Sequence, residues 1–103
     1  MHKKGGAVNA RGGFRNWKKR WFVIAPVEIL GAHGYELQYY DAPNGNLKGK
    51  VGLSEIEILC ETKSQHKLVK HEFQIVLQNG GILELSCDDY EEREEWMETL
   101  NMI

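Results

Sequence analysis

Apolar and polar residues alternate with a period of two along most of this 103-residue chain, and turn-forming residues cut the alternation into short runs. That period puts one side of each run in a core and the other in water, so the chain is restricted to half-buried β-strands for most of its length. Residues 17–25 form an aromatic and β-branched run, with Pro26 weakening any continuation. Residues 35–41 place Tyr35, Leu37 and Tyr39 on one face and Glu36, Gln38 and Tyr40 on the other. Further strands are expected over 48–53, over 55–61 with Ile56, Ile58 and Cys60 facing one way, over 71–77 with Phe73, Ile75 and Leu77 inward, and over 82–87 with Leu83, Leu85 and Cys87 inward. A shorter first strand lies within 1–8. Asn44-Gly45 and Asn79-Gly80-Gly81 mark tight turns, and the polar, aperiodic stretch 63–70 reads as a loop.

From Asp88 the period changes. Asp88 or Asp89 suits a helix N-cap, Glu91 and Glu92 follow at the positive end of the helix dipole, and Trp96, Met97, Leu100 and Ile103 make one apolar stripe. The expected class is therefore mainly β with one C-terminal α-helix, in a single domain over 1–103. Strands do not alternate with helices, which excludes a doubly wound nucleotide-binding sheet.

The net charge of −2 conceals a strong asymmetry. Residues 1–20 carry Lys3, Lys4, Arg11, Arg15, Lys18, Lys19 and Arg20 with no acid, whereas 84–98 carry eight acids against Arg93 alone. A fold that separates these blocks presents one cationic face suited to an anionic partner. No window approaches the ~20 apolar residues of a membrane-spanning helix. The opening Met1-His2-Lys3-Lys4-Gly5-Gly6 has no apolar stretch behind it and so does not resemble a secretion signal. Two cysteines, Cys60 and Cys87, are too few for a disulfide scaffold, and a protein of reducing compartments is expected.

Enzyme signals are poor. His2, His33, His66 and His71 share no metal-ligand spacing. Both cysteines fall on strand faces that read as buried and inert. Gly5-Gly6 and Gly12-Gly13 lack the Lys-Ser/Thr of a phosphate loop. No catalytic residue, metal, cofactor or small-molecule substrate is expected. Nucleic acid is disfavoured by the sequence pI near 6.1 and the acidic helix, and the aromatic residues 17, 21 and 22 read more simply as strand packing.

The basic segment is different. Lys18 and Arg20 are two apart and share a strand face that continues as Phe22 and Ile24, so two cations give way to two core residues. That sequence fits the open mouth of a small barrel, where a lysine, a guanidinium fork and loop amides converge on a phosphorylated ligand. It also fits a solvated basic edge that discourages sheet-to-sheet association.

Lys3-Lys4-Gly5-Gly6, a variable loop and then Trp17-Lys18-Lys19-Arg20-Trp21-Phe22-Val23 resemble the opening of a pleckstrin homology (PH) domain. Leu37-Gln38-Tyr39-Tyr40, Gly49-Lys50-Val51-Gly52-Leu53, His71-Glu72-Phe73-Gln74-Ile75 and a final helix bearing Trp96 agree with it in order, over essentially the whole chain. The resemblance implies a seven-stranded, partly open barrel of two near-orthogonal antiparallel sheets capped by the helix. In phosphoinositide-binding members it implies head-group contacts at Lys3, Lys18, Arg20, Tyr39 and Lys48, with phosphatidylinositol 3,4,5-trisphosphate or the 3,4-bisphosphate favoured and the 4,5-bisphosphate a competitor. Arg11, Phe14 and Arg15 form a candidate membrane-contact loop. The implied role is recruitment of a cytoplasmic protein to the inner face of a membrane; the alternative is a protein-interaction module of the same fold. Two departures stand out. The glycine and apolar pair that usually precede the first lysine are missing, as in a domain trimmed from a larger protein. The connection 25–34 is also long, either an extended hairpin or a protein contact.

Overall fold

A computed structural model of the chain describes residues 1–4, 17–62 and 69–102. In order, the elements are β1 (His2–Lys4), β2 (Trp17–Lys19), β3 (Trp21–Ile29), β4 (Ala32–Tyr40), β5 (Leu47–Gly52), a single 3-10 turn (Leu53–Glu55), β6 (Ile56–Glu61), β7 (Glu72–Leu77), β8 (Ile82–Ser86) and α1 (Tyr90–Met102). All strand pairs are antiparallel. One sheet has the order β2-β1-β8-β7-β6 and the other β3-β4-β5.

The expected second strand is broken at Arg20: β2 belongs to the five-stranded sheet and β3 to the three-stranded one, so the chain turns a corner between sheets at that residue. Taken as one bent strand, β2 and β3 restore the expected count of seven. The two sheets close on a shared core of Leu37 and Val51 from one, Phe73, Ile75, Leu83 and Leu85 from the other, and Leu100 from α1. Trp96 and Met97 pack against it from the helix stripe, while Ile103 lies outside the described residues. Asp89 caps α1, its carboxylate accepting from the Glu92 N–H at 2.7 Å.

One open alternative is resolved and two expected facings change. The connection 25–34 is an extended hairpin: β3 runs on through Pro26 to Ile29, and β4 begins at Ala32. Pro26 is tolerated because β3 is an edge strand, where a missing N–H need not break a ladder on both sides. In β6, a register shift between Ile56 and Ile58 reverses the facing of the residues after it. Leu59 therefore packs on the core, opposite Ile75, while Ile58 is half exposed. Cys60 consequently stands on the outer face beside Gln74 and is only partly buried. Cys87 is buried, and desolvation followed by the Glu92 carboxylate pushes its thiol up to about 12, which keeps it unreactive.

The extended hairpin turns through Leu30 and Gly31 alone, with φ of 51° and 82°. Two positive φ values define a type I′ turn, which favours Asn-Gly. A leucine in this left-handed region carries a steric cost, and here it is fully exposed with no packing to offset it. Leu30→Asn is expected to stabilise the fold by about 0.5–1 kcal/mol and raise the thermal midpoint by roughly 2–6 °C. An unchanged or lowered midpoint contradicts this turn.

Candidate functional site

Residues directly opposite in antiparallel strands share a face, so the registers define rows across each sheet. One row of the five-stranded sheet reads Lys18–Lys3–Leu85–Phe73. Leu85 and Phe73 are fully buried, so Lys3 and Lys18 extend a core row outward to the sheet edge. The Lys3 stem therefore runs along apolar surface while its amine reaches the rim, the usual compromise for a long cationic side chain. In the three-stranded sheet the row Phe22–Tyr39–Gly49 faces the same core.

The two rows meet at Lys3 and Tyr39. The Lys3 Nζ lies 5.2 Å from the centroid of the Tyr39 ring and donates to the Lys4 carbonyl at 3.2 Å. Phe22 packs against Tyr39 with centroids 5.4 Å apart, and Trp96 of α1 meets Phe22 edge-on at 6.2 Å. Arg20, half-buried at the corner between β2 and β3, donates from Nη1 to the Lys19 carbonyl at 3.1 Å. Burial and then the Arg20 guanidinium hold the Lys3 ammonium below the usual lysine range. Burial raises the Tyr39 phenol, with Arg20 opposing that shift. Each perturbation is what a cationic, partly desolvated rim produces.

Expected site residues fall into four groups. Lys3, Arg20 and Tyr39 come together. Lys18 lies across from Lys3 in register, exposed at the sheet edge. Lys48 is exposed at a register shift: Tyr39 pairs with Gly49 and Tyr40 with Leu47, leaving Lys48 as the extra residue of a bulge next to the Tyr39 platform. Arg11, Phe14 and Arg15 lie outside the described residues.

Charge pairing separates these cations from three others. Lys4 pairs with Glu84 at 3.5 Å, Lys50 with Glu36 at 3.9 Å and Arg93 with Glu61 at 3.6 Å. Among the described residues, no carboxylate lies within ion-pair distance of Lys3, Lys18, Arg20 or Lys48. Cations without carboxylate partners beside a phenol supply the groups that anion recognition uses: point charges, one planar fork and one hydroxyl.

Sequence reasoning missed Gly49. A Cβ built there would stand 2.1 Å from the Tyr39 hydroxyl oxygen and 2.3 Å from the adjoining ring carbon, so the ring lies flat across this glycine. The available signal was a glycine inside a strand, which marks close approach of another group. A second feature also lacked a sequence signature: a cavity of about 320 Å³ on the outer side of the five-stranded sheet, bordered by His2, Trp17, Val69, Lys70, Ser86, Cys87 and Asp88.

With fold and rim in place, the comparison with protein families is decisive, because the family model for the PH domain matches residues 1–103. The chain belongs to the PH domain family. Neither a curated protein nor a solved structure matches it. The two antiparallel sheets and closing helix are those of the PH fold, and PH domains as a class are modules that bind lipids or proteins.

The stacking of Tyr39 on Gly49 gives a direct test. Gly49→Ala is expected to cost about 1–3 kcal/mol by overpacking, read as a lower thermal midpoint. In a Tyr39→Ala background the same change is expected to cost almost nothing, because the clashing ring is gone. Equal losses in both backgrounds contradict the arrangement.

Proposed function

We propose that this PH domain attaches to the cytoplasmic face of a membrane by binding a phosphoinositide head group at the Lys3–Arg20–Tyr39 rim. The ligands favoured are phosphatidylinositol 3,4,5-trisphosphate and the 3,4-bisphosphate. The observation that carries this reading is the convergence of cations that have no carboxylate partner among the described residues, while nearby Lys4 and Lys50 are paired with acids. An inositol ring bearing several phosphates supplies that missing charge. In this reading Arg20 provides the bidentate fork, Lys3, Lys18 and Lys48 act as point charges, and Tyr39 donates its hydroxyl. Surface cations add long-range attraction to an anionic leaflet, on the order of 1 kcal/mol each before screening. Among the described residues no helix is long and apolar enough to cross a membrane, so attachment through this rim would be peripheral.

A protein-binding role has one specific observation in its favour. The β3–β4 hairpin leaves Leu30 fully exposed and Tyr35 about half exposed, and a groove of about 420 Å³ lies along it between Val27, Tyr35 and Leu53. Soluble inositol tetrakisphosphate separates the two roles. A head-group site stabilises the native state on binding and raises the melting temperature, whereas a protein-only module shows no shift.

Arg20→Ala should weaken binding to liposomes containing 3-phosphorylated inositides by about 30-fold, equivalent to roughly 2 kcal/mol for a lost charge-assisted fork. Lys50→Ala, which removes a cation already paired with Glu36, should change binding by less than about threefold. Equal, small losses for both variants would refute a specific rim.

A further inference from the structure

The environment of Lys3 is suited to chemistry as well as to charge. Its Nζ is partly desolvated, rests over the face of Tyr39 and has no carboxylate partner among the described residues. The Arg20 guanidinium acts on it as a like charge. Burial beside a second cation is the setting that makes a lysine amine nucleophilic toward carbonyl carbon, because a larger fraction carries a free lone pair. The same surroundings hold phosphate, since Arg20 is a fork and Lys18 stands across from Lys3 in register. An electrophile that carries both an aldehyde and a phosphate meets both properties at once.

We propose that Lys3 is a reversible imine-forming site for phosphorylated aldehydes, with Arg20 and Lys18 seating the phosphate while Nζ attacks the carbonyl carbon. The Nζ lone pair forms the C–N bond as the carbonyl π pair moves to oxygen. Proton transfer from nitrogen to oxygen gives a carbinolamine, and loss of water leaves the C=N bond. The protonated imine keeps its positive charge over the Tyr39 ring, where the negative π face favours it. Hydrolysis restores the free amine, so occupancy follows the aldehyde concentration. Where the proposed function also holds, a bound adduct fills the rim and excludes a head group. This inference needs an anion site around Lys3 but neither an inositol ring nor a membrane, so it goes beyond the proposed function and can be judged separately.

Pyridoxal 5′-phosphate, and pyridoxal as its phosphate-free counterpart, are the probes, with borohydride trapping and peptide mass mapping on the intact chain. Fragmentation separates side-chain adducts from those at the terminal amine. Lys3 should be labelled about tenfold faster by pyridoxal phosphate than Lys18 or Lys50, because the phosphate is seated beside an amine that burial and then the Arg20 charge leave less protonated. Pyridoxal should label Lys3 much more slowly than its phosphate, and Arg20→Gln should remove most of that difference. Uniform labelling of all nine lysines, or equal rates for the two aldehydes at Lys3, would overturn the proposal. Soluble inositol tetrakisphosphate is expected to protect Lys3. Selective labelling that it leaves unchanged refutes the head-group reading and sustains the imine site. Absence of selective labelling, in a protein that still binds the inositol phosphate, refutes the imine site alone.

Discussion

The contact between the Lys3 ammonium and the Tyr39 ring joins the two sheets, because Lys3 belongs to β1 and Tyr39 to β4. Its geometry is fixed from both sides. On one, Lys3 continues a row whose next members, Leu85 and Phe73, are fully buried, so its stem has apolar surface to follow. On the other, the Tyr39 ring is held between Phe22 and the bare backbone of Gly49, and Trp96 fixes Phe22 from the helix. A π face attracts a cation without neutralising it. The contact therefore positions a charge and leaves it available, which a carboxylate partner would not.

That distinction organises the electrostatics of the described rim. Two cations on the outer faces are paired, Lys4 with Glu84 and Lys50 with Glu36, while Lys19 lies over the Trp21 ring. Those on the core-facing row and at the corner, Lys3, Lys18 and Arg20, have no carboxylate partner among the described residues. Burial and then the like charge of Arg20 lower the proton affinity of Lys3, and both oppose folding with the ammonium charged. A polyanion relieves the like-charge repulsion. Retaining such a cluster at the expense of stability is the usual mark of a binding surface.

Much of this was legible in the sequence, for physical reasons that also explain the failures. Period-two alternation placed Phe73, Ile75, Leu83, Leu85 and Leu37 in the core because strand geometry leaves no other face for them. It failed at Ile58 and Leu59 because a bulge adds one residue and inverts every facing beyond it, with no composition to announce it. The Leu30-Gly31 turn was hidden because leucine is not a residue that favours left-handed backbone. At the site, the spacing of Lys18 and Arg20 was visible, but the corner between them was not, nor the approach of Tyr39 to Gly49. Both depend on contacts between sheets, which local pattern does not encode. Resemblance to the PH family supplied Lys3, Tyr39 and Lys48; the registers supplied their surroundings.

The central claim is that one rim, built where β1, β2 and the β4–β5 bulge approach each other, holds a phosphorylated ring. Residue-resolved amide shifts during titration with soluble inositol tetrakisphosphate test it most directly. The account predicts the largest changes at Lys3, Lys18, Arg20, Tyr39 and Lys48–Gly49, saturating together with one dissociation constant. Changes confined to the β3–β4 hairpin, or to the outer cavity around Trp17 and Lys70, would contradict it.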